Sequence, residues 1–177
     1  GTCGFALVLD DDGAAAMRLG DGSGGIVEAT TGKPLAKRRW HLVSAAYDAE
    51  AGTICVSQDF IGPQFEVSTS ASTTVSVGFT PAMASAQPLI MAAMPATHPA
   101  GRPAASQPFN GKLDRPRLVG RALSLTDSAA LGWDALPHER DRSVIAAWDF
   151  SREIGSTRIM DASPNGLHGQ AVNLPSR

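Results

Sequence analysis

Tyrosine occurs once in the 177 residues and cysteine twice, and aromatic residues make up 6% of the chain. Two cysteines allow at most one bridge, so this is not a disulfide scaffold. A chain of 177 residues needs none, because at this size folding removes roughly 70% of the extended chain's surface from water. No apolar run approaches the ~20 residues of a membrane-spanning helix, and the opening GTCGFALVLDDDG has neither the basic start nor the long apolar stretch of a signal peptide. Long runs of one charge are missing too: 15 basic residues face 17 acidic ones, for a net charge of −2. Without a basic stripe to track phosphates or an anionic bilayer, nucleic acid and membrane are not expected partners. There is no Asn-x-Ser/Thr acceptor with a permitted middle residue. These absences together suit a cytoplasmic bacterial-type protein. The lack of an initial Met and the abrupt Pro-Ser-Arg end add the expectation that the chain is a fragment of a larger one.

What is present is a succession of short β-patterned runs broken by turn signals. GFALVLD, AAAMRLG and IVEAT form a meander through Asp12-Gly13, which suits a tight turn with positive φ, and the Gly20 to Gly25 segment. RRWHLVSAAYD has two largely apolar faces, Trp40, Leu42, Ser44, Ala46 and His41, Val43, Ala45, Tyr47, which predicts a central strand covered on both sides and paired with TICVSQD. Ser68 to Gly78 reads as a further strand. The Ala/Pro-rich stretch from Pro81 to Pro108 reads as a long loop with one strand at PLIMAAM. In NGKLDRPRLVG, Pro116 pushes the strand to a sheet rim. One helix is predicted from Ser124 to Trp133, capped by Ser124 with Asp127 three residues on. PHERDRS, 137 to 143, reads as a loop before VIAAWDF resumes as a strand. The sum is an all-β chain, an antiparallel sandwich of jelly-roll type with one short helix, in a single domain over 1–177 whose last segment, 144–177, closes the sandwich or begins a following region.

A search for chemistry returns turns more readily than sites. Gly20, Gly22 and Gly25 match G-x-G-x-x-G, but no helix pattern follows and Asp21 would repel a phosphate. Asp10, Asp11, Asp12 and Asp21 are oxygen ligands in type, yet their spacing fits no calcium loop. His41, His98, His138 and His168 are scattered without metal-ligand spacing. Cys3 and Cys55 lie in alternating apolar runs, which predicts buried, reduced thiols, with pairing left open. Trp40, Trp133 and Trp148 are expected in the core rather than on a sugar-stacking platform. In DASPNG, Asp161 and Asn165 read as turn formers. Neither a Gly-x-Ser-x-Gly elbow nor a Glu-x-Asp-x-Glu-like strand is present, so a hydrolase of either kind has no local support. No catalytic or cofactor-binding residue is assigned, and metal binding is left open.

Three segments, RRWHLVSAAYDAEAGTICVSQD, FNGKLDRPRLVGRALSLTDSAAL and WDFSREIGSTRIMDASPNGLHG, together resemble laminin-G-like, or concanavalin-A-like, jelly rolls. In such domains the last segment usually comes first, and its late position here implies a circular permutation or a seam into further structure. The run AAWDFSREIGSTRIMDASPNGLHGQAVNLPSR beside these hairpins is similar to the non-catalytic region of the large subunit in the N,N-dimethylformamidase family. That resemblance implies an assembly role beside a separate amide-hydrolysing domain, with other domains or subunits of the enzyme as partners. It also implies an iron held elsewhere by tyrosines and a glutamate, a set that Tyr47 alone cannot supply. The rival expectation is a lectin-like module whose partner is a glycan.

Overall fold

The structure is a computed structural model and describes residues 3–62, 68–82, 88–97, 103–130 and 143–172. It is all-β and antiparallel, with one short helix among the described residues. The end of the expected helix, up to Trp133, and the PHERDRS loop up to Arg142 lie outside that set, as do His98 and His138. The chain gathers into two compact units, one of residues 1–84 with 121–135 and one of 85–120 with 136–177.

The first unit is a sandwich of two three-stranded sheets. Strands β1 (Cys3–Leu9), β2 (Ala14–Asp21) and β3 (Ile26–Pro34) form one sheet in that order. Strands β4 (Trp40–Asp48), β5 (Thr53–Ile61) and β6 (Ala71–Ser76) form the other. Period-2 alternation decides which side chains meet. Ala15, Met17 and Leu19 of β2 and Ala29 of β3 pack on Ile54 and Val56 of β5, with Val27, Val43, Ala45, Tyr47 and Val75 around them. Each large apolar side chain buried there contributes about 1.5–3 kcal/mol. The meander is closed by the turns the sequence predicts: Gly13 has φ 84° and donates to the Asp10 carbonyl at 3.0 Å.

A bulge gives this sandwich its polar joint. The β2–β3 register shifts between Ala14 and Ala16, which takes Ala15 N out of the regular ladder on that side. Ala15 N donates instead to Gln58 Oε1 at 3.1 Å, and the Thr31 hydroxyl donates to the same oxygen at 2.6 Å. Gln58 Nε2 donates to the carbonyls of Lys33 at 2.8 Å and Thr69 at 2.7 Å. Gln58 is fully buried, so its amide meets its hydrogen-bonding capacity by tying β5 to β2, to β3 and to the segment entering β6.

Two expectations about this unit are corrected. Among the described residues RRWHLVSAAYD forms an edge strand, because β4 pairs there with β5 alone and the central place falls to β5. Its core-facing Val43, Ala45 and Tyr47 are accordingly half-buried, and Trp40 is 43% exposed instead of sitting in the core. Cys3 is exposed and Cys55 half-buried, both as free thiols. Cys3 shares the alternating apolar face of β1, but that face extends past the packed core.

The second unit holds a hairpin of β7 (Met94–Thr97) and β8 (Pro103–Ser106) and a four-stranded sheet. PLIMAAM supplies only the first residue of β7; Ala92 takes φ 61° and its carbonyl accepts from Phe109 N, so the chain bends where a strand was expected. The sheet order is β12-β11-β10-β9, with β9 (Arg117–Val119), β10 (Val144–Asp149), β11 (Arg158–Asp161) and β12 (Gly169–Gln170). Pro116 does send its strand to the rim: β9 is terminal, and the Pro116 carbonyl accepts from Trp148 N at 3.0 Å. Helix α1, in the first unit, is described over Leu125–Ala130, capped by the Ser124 hydroxyl accepting from Asp127 N at 3.0 Å.

Replacing Gln58 by Leu keeps the volume and orphans one buried N–H, one hydroxyl and two carbonyls. The expected loss is about 3–5 kcal/mol, since each unsatisfied group costs ~1–3 kcal/mol before relaxation and water entry. Urea unfolding followed by circular dichroism measures it, and a change below about 1 kcal/mol would show that the amide does not hold the sheets together.

Candidate functional site

The densest polar constellation surrounds Asp161 in the second unit. Strand β11 pairs with β10 only at Trp148↔Asp161 and Asp149↔Met160. Beyond that point the DASPNG turn continues the pairing with side chains. Asp161 Oδ1 accepts from Ala147 N at 2.8 Å and Ser163 N at 2.9 Å, while Oδ2 accepts from the Ser163 hydroxyl at 2.7 Å and Leu167 N at 2.8 Å. Asn165 Nδ2 donates to the carbonyls of Val144 at 3.1 Å and Ile145 at 2.9 Å. Trp148, 9% exposed, donates its indole N–H to the Leu167 carbonyl at 2.8 Å. His168 Nδ1 accepts from Asp161 N at 3.1 Å, which makes Nδ1 the unprotonated nitrogen.

This arrangement binds its own backbone. Burial works to raise the Asp161 pKa, but the amides of Ala147, Ser163 and Leu167 and the Ser163 hydroxyl together hold the carboxyl below its usual range. Four donors leave that carboxylate little capacity for a ligand. The turn role foreseen for Asp161 and Asn165 therefore stands, with an added reach of 14 and 20 to 21 residues back to β10.

The aspartates weighed as calcium ligands are spread along the first hairpins. Asp10 lies before β2 and Asp21 at its far end, an 8-residue strand apart, which at ~3.3 Å per residue is over 20 Å. Asp10 accepts from the Thr30 hydroxyl at 2.5 Å and from Ala14 N and Asp12 N, and these bonds lower its pKa. Asp21 accepts from Ser23 N at 2.7 Å, the Ser23 hydroxyl and Gly25 N, again with a lowered pKa. The Gly20 to Gly25 amides that a phosphate loop would aim at a ligand thus point at Asp21, and β3, not a helix, follows. Gly22 is required there: its φ is 81° and a Cβ would come within 2.9 Å of Ala82 Cβ and 3.2 Å of Cys3 Sγ. Among the described residues no three His, Cys, Asp or Glu side chains converge as a metal site.

His41 ends the core face of β4. Its Nε2 lies 2.6 Å from the Thr69 hydroxyl and its ring meets Phe60 edge-on at 5.6 Å. Desolvation lowers its pKa against a smaller opposing pull from the Arg39 backbone. On the outer face of the second sheet, a shallow depression of ≈ 330 Å³ lies between Ala46, Asp48, Thr53, Cys55 and Thr74 and residues 122–125. Its carboxylate is a turn former too, since Asp48 Oδ1 accepts from Glu50 N and Ala51 N. Among the described residues that line the depression there is no cationic or imidazole side chain. Tyr47, the one tyrosine of the chain, packs against the core cluster.

Groups whose pKa is lowered by folding bind fewer protons in the native state, so stability is full above their unfolded pKa and falls as pH drops. His41 sets an onset near 6.5, and Asp10, Asp149 and Asp161 set a larger one below 3.8. Asp161→Asn should cost about 2–4 kcal/mol at pH 7, because the new NH₂ faces donors, and should flatten the lower step. Urea titrations between pH 3 and 8 read both effects; an unaltered acid limb in the variant would remove Asp161 from this role.

No protein-family model matches the chain. It is similar to the beta subunit of N,N-dimethylformamidase from Paracoccus aminophilus, at 32% identity over 188 aligned residues covering 99% of this chain and 24% of that subunit. The corresponding subunit from an Alcaligenes species is 29% identical, with 98% of this chain and 24% of that protein covered. The chain spans about a quarter of the length of these curated relatives.

Proposed function

We propose that this region is a non-catalytic assembly domain of an N,N-dimethylformamidase-like amidohydrolase, in which another domain hydrolyses a small amide to a carboxylate and an amine. The observation that carries the reading is the match of nearly the whole chain to one quarter of the dimethylformamidase beta subunits. The local chemistry supports it: Asp10, Asp21, Asp48 and Asp161 each accept two or more backbone amides of their own turns. Carboxylates committed in this way serve folding rather than proton transfer.

In this reading the sandwich is of the laminin-G-like, concanavalin-A-like kind, in a cytoplasmic enzyme whose other domains or subunits are its partners. The iron implied for that enzyme does not fit the residues described here. Tyr47 packs on the core cluster, and among the described residues no three His, Cys, Asp or Glu side chains converge as a metal site. A second reading, a glycan-binding module, is favoured by the exposure of Trp40 at the sheet edge. Trp40 is the one exposed tryptophan among the described residues, a thin platform for stacking a sugar, so the assembly reading is preferred.

The purified 177-residue chain should not hydrolyse N,N-dimethylformamide, with or without added iron, when release of dimethylamine is followed. Turnover by this chain alone would overturn the reading. Saturable glycan binding lost on Trp40→Ala would favour the second one.

A further inference from the structure

Two Asn-Gly dipeptides stand among the described residues, Asn110-Gly111 and Asn165-Gly166. In such a pair the asparagine amide is open to attack from its own backbone, because glycine has no Cβ to obstruct the approach of the next peptide nitrogen. Both pairs are exposed to solvent, so access of water does not distinguish them. The turn around the second one does. Gly166 has φ 63°, a conformation that costs any residue with a Cβ, and Asn165 supplies the side-chain N–H groups that clasp β10. The fold therefore calls for this labile pair where it stands.

Deamidation needs the Asn165 side chain to fold forward onto the next peptide. Gly166 N, giving up its proton to water or hydroxide, bonds to Asn165 Cγ; the Cγ–Nδ2 bond breaks, and Nδ2 takes up a proton in exchange and leaves as ammonia. Water then opens the cyclic imide at either carbonyl, leaving aspartate or isoaspartate at position 165. The native turn holds the groups on both sides of the bond that must form. Nδ2 donates to the carbonyls of Val144 at 3.1 Å and Ile145 at 2.9 Å, and Asn165 N donates to the Ser163 hydroxyl at 3.3 Å. The Gly166 carbonyl accepts from His168 N at 2.8 Å, and the Ser163 hydroxyl is itself fixed by donating to Asp161 Oδ2 at 2.7 Å. Closure of the imide has to release both bonds to β10 first.

We propose that Asn165 is a deamidation site gated by its own clasp: the bonds to β10 shield Asn165-Gly166 while the turn is closed, and opening of the turn commits it to a modification that reclosing cannot undo. The product is a carboxylate, which has no N–H to give. The Val144 and Ile145 carbonyls lose their donor and face negative charge in its place, so a transient opening becomes a lasting one. This goes beyond the assembly reading and does not rest on it.

The test incubates the polypeptide as encoded at mildly alkaline pH, in native buffer and in urea, and maps aspartate and isoaspartate at positions 110 and 165 by peptide mass spectrometry. Loss of Asn165 should be roughly tenfold or more slower in the native fold than in urea, a factor set by the release of two hydrogen bonds. Protection should be weaker at Asn110, exposed in the irregular segment between β8 and β9. Ser163→Ala, which removes the hydroxyl that holds Asn165 N, should speed the native reaction at position 165 and leave position 110 unchanged. His168→Ala loosens the same turn through Asp161 N and serves if Ser163→Ala does not fold. Equal rates at position 165 in native buffer and urea, equal protection at both dipeptides, or variants that leave position 165 unchanged would each overturn the proposal. Asn165→Asp, standing for the product, should hasten hydrogen exchange at the Ala147 and Leu167 amides, both given to Asp161; unchanged exchange would mean that the clasp recloses over the product, which overturns it too.

Discussion

Gln58 stands where two requirements of the first unit conflict. The bulge in β2–β3 bends the sheet onto its partner, and bending a ladder in a buried place frees backbone groups that cannot reach water. A single amide, offering one acceptor oxygen and two donor hydrogens, meets Ala15 N, Thr31 Oγ1 and the carbonyls of Lys33 and Thr69 together. The apolar packing of Met17, Leu19, Ile54 and Val56 supplies the larger share of the free energy. That packing does not by itself fix how the sheets slide past one another, because apolar contact is non-directional. The amide is directional and fixes it.

The second unit solves a similar problem differently. Strand β11 leaves β10 after two residue pairs, and the remaining edge of β10 is taken up by Asp161, Ser163 and Asn165 side chains instead of a backbone ladder. A short polar turn with three hydrogen-bonding side chains thereby does the work of several strand residues. In both units the polar groups that look like chemistry are spent on backbone, and the proposed assembly role draws on that.

Much of the architecture was legible in the sequence because it is written in local patterns. Alternation placed β1 to β6 within about four residues at each end, Gly13 and the Gly20 to Gly25 stretch marked their turns, and Ser124 marked the helix start. Gln58 left a signal that was not used: in Ile54, Val56, Gln58 the third member of an apolar face is an amide, and an amide on a buried face implies partners. The errors were of another kind. Trp40 and Cys3 lie in apolar alternating runs, as core residues do, yet both are exposed, since β4 is an edge and β1 overhangs.

The sequence by itself determined the strand periods and the turns, since each depends on φ/ψ preference and side-chain type over a few neighbouring positions. Only the tertiary structure decided which strands are edges, which apolar faces find cover, and that Asp161 clasps β10 and Gln58 the bulge. These depend on contacts between residues 14 to 43 positions apart, and a local pattern that fits a core face fits an uncovered one equally well.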